Sequence, residues 1–340
     1  MGILKTSFIV LMTILMTSCL ETFTPDVDIK PVLCLNSRIC AGKPIEVNIT
    51  HTWFYSDGEK LKDHSVDDAI LSIYVNNREV ERDYLPQEGD KIRIHVSSKK
   101  YGEAEAEVEV PVITPIKNLD WKIDIISSTP SDENNLQMFG YILYNLLIKA
   151  EIQDVSENPN YYRISFESFS PYTPLNPEQK PNSDYWNDKS LDYYCGYLEY
   201  EAEPIFFENL SESELVFEAY PAGFVFFTDR QFSGSNYTLN LHFENARYFV
   251  ESENWDESLL DVGMTVTLHS VSKSYYDWEV YYRQIDSGLT GDLIDWGFHD
   301  PIWGYSNVST GAGLVAAQSS ITYVVSLKDY FEKLLKKPTL

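Results

Sequence analysis

Strict alternation of apolar and polar side chains is the clearest pattern along this chain. From Glu103 to Val110 four carboxylates alternate with Ala104, Ala106, Val108 and Val110. A strand there carries its acids on one face and small apolar groups on the other. The period repeats over Lys91–Val96 and over Pro44–Thr50, which the turn Ala41-Gly42-Lys43 links to an apolar run at Pro31–Leu35. Ala69–Val75 adds another strand, with Asn76-Asn77 and Gly89-Asp90 as turn signals. Short strands at roughly 10-residue spacing predict a small immunoglobulin-like β-sandwich over residues 31–115. Thr114-Pro115 closes it.

The same period continues beyond. Strands are predicted at 120–126, 161–167, 215–220, 224–228, 237–243, 264–271 and 321–327, with a long mixed run at 141–155 and a turn at Gly234-Ser235-Asn236. Helical spacing is convincing once. Ser274 and Asp277 form a capping-box pattern, Tyr275, Trp278, Tyr282 and Ile285 share a face, and Ser287-Gly288 stops the helix. The expected fold is all-β: the first sandwich, then a larger antiparallel domain over 116–340, sandwich or barrel, with one packed helix at about 274–286.

The first residues follow neither period. Lys5, the apolar run Phe8–Met16 and then Thr17-Ser18-Cys19 form a secretory signal, too short to span a bilayer, which needs roughly 20 apolar residues. Because Cys19 directly follows the small residues, the segment resembles a bacterial lipoprotein signal. That resemblance implies removal of residues 1–18 and acylation of Cys19. Residues 19–30 lack periodicity and read as a tether. The net charge of −26, with 52 acidic against 26 basic residues, argues against nucleic-acid binding, which depends on neutralising phosphates with Lys and Arg. It also discourages a polybasic contact with anionic lipid, so membrane attachment is left to the acyl chains.

Candidate chemistry is sparse. The sequence contains no H-E-x-x-H, G-x-S-x-G, Walker or dinucleotide glycine pattern, and the six histidines are dispersed. The expectation is a non-enzymatic protein with neither cofactor nor metal. A calcium site at Asp154-Ser156-Glu157-Asn160 lacks the ordered D-x-D-x-D-G spacing. Cys34, Cys40 and Cys195 are an odd number of thiols. Cys34 and Cys40 could close a small loop, or strand geometry could hold them apart. Pro171, Pro174, Pro177 and Pro181 mark a long surface loop. Tyr185, Trp186, Tyr193 and Tyr194 flank it as candidate aromatics for stacking on a sugar.

Several stretches carry a family likeness: Phe232-Ser233-Gly234 with Tyr237-Thr238-Leu239, then Leu268–Ser272 leading to Tyr275-Tyr276, and above all Asp300–Val308 continuing as Ser309–Ala317. With the signal and the strand at Pro31, they resemble the Bacteroidetes lipoprotein family catalogued as domain of unknown function 4249. The resemblance implies an outer-membrane lipoprotein commonly encoded beside a TonB-dependent receptor, and it transfers no catalytic residue. The face of the membrane is left open. The block at 300–317 reads, on its own residues, as a structured turn closing the sheet, with Gly311 and Gly313 allowing close approaches. The function expected is an accessory role to a transporter, in cargo capture or uptake; the alternative is a surface carbohydrate-binding lipoprotein.

Overall fold

The computed structural model describes residues 30–53, 64–129, 139–154, 158–169, 197–199, 203–207, 224–251, 262–286 and 304–335. Among these, strands form three sheets. A six-stranded sheet runs in the order β11-β9-β13-β14-β1-β2. Its members are β1 (Leu33–Cys40), β2 (Asn48–His51), β9 (Tyr161–Phe169), β11 (Phe224–Thr228), β13 (Gly263–Val271) and β14 (Ala312–Ser326). A four-stranded sheet, β4-β3-β5-β6, holds β3 (Ile70–Val75), β4 (Arg78–Val80), β5 (Lys91–Ser98) and β6 (Gly102–Glu109). The third, β10-β12-β8-β7, holds β7 (Ile116–Thr129), β8 (Phe139–Gln153), β10 (Tyr197–Leu198) and β12 (Asn236–Glu251).

The period of two along β14 shows how these layers stack. Val315 and Ala317 enter one core with Leu33, Leu35 and Ile39 of β1 and with Ile92, Ile94, Ala104 and Val108 of the β4-β3-β5-β6 sheet. Further along the same face, Val325 enters a second core with Leu146, Ile148, Ile164, Leu241 and Phe243, and Ile321 and Tyr323 pack against it. Both four-stranded sheets therefore cover one face of the six-stranded sheet, side by side. Ala316 points the other way, against Tyr275 and Tyr276 of helix α1 (Lys273–Asp286). The fold is all-β with sandwich packing, as the alternation predicts.

The six-stranded sheet crosses the boundary expected at residue 115. β1 and β2 lie before it, yet β1 pairs in parallel with β14, from Cys34↔Ala312 to Cys40↔Gln318. Only the two four-stranded sheets part near that point. Between them the Thr114 backbone N–H donates to Ser270 Oγ at 3.1 Å, and the Thr114 and Tyr162 hydroxyls pair at 3.2 Å.

Local expectations hold closely in the first sandwich. Ala104, Ala106 and Val108 are buried while Glu105 faces out to Arg93, 3.1 Å away. Asn76 and Asn77 both adopt positive φ, 50° and 66°, the backbone of a two-residue hairpin joining β3 to β4. Cys34 and Cys40 are both in β1 and both free. Six residues of strand hold them about 20 Å apart, far beyond the reach of a disulfide.

Other expectations need correction. Residues 312–317 are strand, not turn: β14 starts nine residues before the predicted strand at 321. The helix is capped by Ser272, whose Oγ accepts from the Tyr275 N–H at 3.3 Å, whereas Ser274 donates to the Val315 carbonyl at 3.0 Å. Its sheet-facing side is Tyr275, Tyr276 and Glu279, while Tyr282 is exposed and stacks on Trp278. A second helix, α2 (Lys328–Leu335), follows β14 and was not predicted.

Candidate functional site

The outer face of the six-stranded sheet packs an apolar cluster of Phe226, Val271 and Ala316 against α1 and carries polar side chains beside it. One cross-strand row reads Phe226, Arg163, His269, Ser320 on β11, β9, β13 and β14. The next reads Thr228, Tyr161, Val271, Gln318, Cys40. Neither row is legible in the sequence, because its members lie far apart along the chain (Cys40 and Gln318 at the extreme) and meet only through strand register.

Arg163 and His269 are the centre of this band. Arg163 Nη1 lies 3.0 Å from His269 Nε2, and Ser165 Oγ lies 3.0 Å from the same nitrogen. A guanidinium only donates, so Nε2 is the acceptor and the neutral imidazole carries its proton on Nδ1. That Nδ1 is buried and has no hydrogen-bond partner among the described residues. Arg163 also lies over the Phe224 ring, 4.5 Å from its centroid. Burial lowers the Arg163 guanidinium from its ordinary value, with Tyr275, Glu279 and Glu167 acting against it. A second cation, Arg38, donates to the Tyr275 hydroxyl at 3.4 Å.

Burial first, then the charges of Arg163 and Arg38, push His269 down to about 4. The imidazole is therefore neutral at neutral pH. A Ser–His contact invites comparison with acyl transfer, but here the arginine holds Nε2, and among the described residues no carboxylate meets Nδ1.

The depressed pKa has a sign. Between pH 6.5 and 4 the unfolded chain takes up the His269 proton and the folded chain does not, so stability falls as pH falls through that window. The loss has an upper value of about 3 kcal/mol. Urea unfolding at a series of pH values is expected to show a shallower decline for His269→Gln than for the parent. Parallel declines would remove His269 as the cause.

Beside the band is an open notch of about 290 Å³, lined by Cys40, Lys43, Pro86, Glu88, Gln318 and Ser320 among others. It exists because β1 stops at Cys40 while β14 continues. The Ala41 N–H donates to the Gln318 carbonyl at 3.0 Å, so Gln318, and with it Ser320, directs its backbone toward the side that β1 vacates. Gln318 Nε2 donates to Cys40 Sγ at 3.4 Å, leaving Oε1 buried without a partner among the described residues. Ser320, which is exposed, and Lys43 and Glu88 offer polar groups to the notch, whereas Gln318 Oε1 and His269 Nδ1 are sealed from solvent.

Cys19, Tyr185, Trp186, Tyr193 and Tyr194 lie outside the described residues, as do Cys195, the proline-bearing stretch and the strand expected at 215–220. Of the calcium set, Ser156 and Glu157 lie outside the described residues; Asp154 and Asn160 do meet, and folding adds Asp229. Asn160 Nδ2 bridges the two carboxylates at 3.1 and 3.0 Å, and the Gly234 N–H donates to Asp154 at 3.0 Å. Burial, together with the nearby Asp154 carboxylate, raises Asp229, against the opposing hydrogen bonds of Asn160. Amide donors already fill this place, which closes one end of the second sandwich.

The chain belongs to the family described as domain of unknown function 4249, whose model matches residues 21–323. No curated protein and no solved structure matches it.

Proposed function

We propose that this member of the domain of unknown function 4249 family is a lipid-anchored, non-enzymatic protein of the outer membrane. It works as an accessory to a TonB-dependent transporter, in cargo capture or uptake. The supporting observation is the placement of the family domain directly behind the lipoprotein-type cysteine: the match starts at residue 21 and β1 at Leu33. Fourteen residues from Cys19 to Leu33 reach at most about 50 Å. Acylation thus keeps the sandwich within one protein diameter of the bilayer, close enough to meet cargo at a transporter mouth. Two acyl chains anchor stably where one does not. The notch edged by Lys43, Glu88 and the exposed Ser320, beside the Arg163–His269 pair, is the surface proposed for cargo.

Cys19→Ser is the direct test. The parent is expected in the membrane fraction, carrying labelled lipid, and the variant soluble or still bearing its signal. Labelled lipid on the variant would refute the anchor. Pull-down of the parent from detergent-solubilised outer membranes is expected to bring a TonB-dependent receptor with it; recovery of the chain always alone would sink the accessory role.

A further inference from the structure

Away from that band, on the outer face of the β10-β12-β8-β7 sheet, one histidine and two glutamates converge. Leu198↔Phe243 and Tyr197↔Glu244 set the pairing of β10 with β12, and the Glu199 N–H donates to the His242 carbonyl at 2.7 Å. Glu199 is therefore directly across from His242. Glu244 follows two residues on along β12, on the same face, since the alternate positions Leu241 and Phe243 point into the core. A bulge between Phe243 and Ala246 interrupts the β12/β8 ladder at this point, with Asn245 at φ 58°. Bulges re-aim neighbouring side chains. Here the result is that one ligand atom from each of Glu199, His242 and Glu244 lies within 4.8 Å of the others. His242 Nδ1 is in hydrogen-bond contact with Glu199 Oε2.

We propose that Glu199, His242 and Glu244 form a binding site for a divalent transition-metal ion of the zinc class. The donor set decides the class. An imidazole nitrogen is a poor ligand for calcium or magnesium, which take oxygen, whereas one nitrogen with carboxylate oxygens suits zinc. Around a tetrahedral zinc with bonds near 2.0–2.2 Å, donors sit about 3.3 Å apart. Small side-chain rotations bring the three groups to that spacing, because all three stand half-exposed on the sheet surface. Three protein ligands leave the fourth position to water. The ion neutralises two adjacent carboxylates in a chain of net charge −26. It also ties the two-residue strand β10 to β12.

Equilibrium titration of the purified full-length protein with zinc, and then with cobalt(II), tests this. The expected result is one ion per chain, with affinity lowered tenfold or more in His242→Gln and again in Glu244→Gln. Magnesium is expected not to compete. The bound cobalt is expected to show no thiolate charge-transfer band, which separates this site from Cys34, Cys40 and Cys195. Equal zinc affinity in His242→Gln, effective competition by magnesium, a thiolate band, or no binding would each overturn the assignment. Unchanged circular dichroism of the two variants guards against reading misfolding as lost affinity.

Discussion

Replacing Gly313 by Ala is expected to cost about 3–5 kcal/mol, at the upper end of single substitutions. Gly313 sits at φ +115°, which an L side chain seldom adopts, and a Cβ there would meet the Leu35 carbonyl oxygen at 2.1 Å and the Leu35 amide nitrogen at 2.9 Å. Both obstacles are backbone, so no rotamer change relieves them. Leu35 is the register partner of Gly313 in the parallel β1/β14 ladder, and its side chain is fully buried in the first core. Shifting β1 away would open that core and the six-stranded sheet together. For a chain of this size the melting temperature is expected to fall by roughly 5 °C. Gly89→Ala is the matched control: its φ is +82°, but nothing lies within 4 Å of the added Cβ. It pays only the left-handed backbone cost, about 1–2 kcal/mol. Similar losses in the two variants would mean that torsion, and not the closeness of β1, makes glycine necessary at 313.

That glycine also shows where local reading stops. The pattern around it, Gly311-Ala312-Gly313, looks like a turn, because two glycines in three residues normally puncture a strand. Its strand role depends on β1, nearly three hundred residues away, and no local period records such a partner. By contrast Glu103–Glu109 and Asn76-Asn77 were legible, because an alternating face and a positive-φ turn are local properties. Sandwich strands could be read for the same reason, while the sharing of one sheet by both halves could not. His269 shows the same division at the candidate site. Its place within a strand was expected, but its partners Arg163 and Ser165 come from β9 through register. Glu199 and His242 meet by the same route.

The register has a functional consequence as well. A parallel strand from the beginning of the chain, next to the cysteine-bearing tether, is built into the sheet that holds the Arg163–His269 band. With Cys19 acylated as proposed, pull on that anchor would be delivered to the ladder between β1 and β14, beside the notch at Cys40 and Gln318.

Phe331→Ala is expected to lose about 3–5 kcal/mol, the usual range for a fully buried phenylalanine. The residue lies in α2 with no exposure, edge-on to Tyr144 with ring centroids 5.5 Å apart. Its helix is fastened from both ends of the packing problem. Leu327, also fully buried, donates its N–H to the Val262 carbonyl at 3.0 Å, and the Tyr330 hydroxyl donates to the Trp121 carbonyl at 3.0 Å. The helix therefore lids the second core between β7 and β13, and the cavity left by Ala has rigid sheet on its other sides, which limits collapse. The helix escaped the sequence reading because eight residues give barely two turns, too few for a 3.6 period to stand out. Phe331→Leu keeps most of the volume and is expected to lose far less, as volume-conserving apolar exchanges usually cost below about 1.5 kcal/mol. Tyr330→Phe, on the exposed side of the same helix, is expected to lose about 1 kcal/mol for its single hydrogen bond. Denaturant unfolding of the three variants ranks them. A Phe331→Ala loss no larger than that of Tyr330→Phe would show that α2 rests on the sandwich without closing its core.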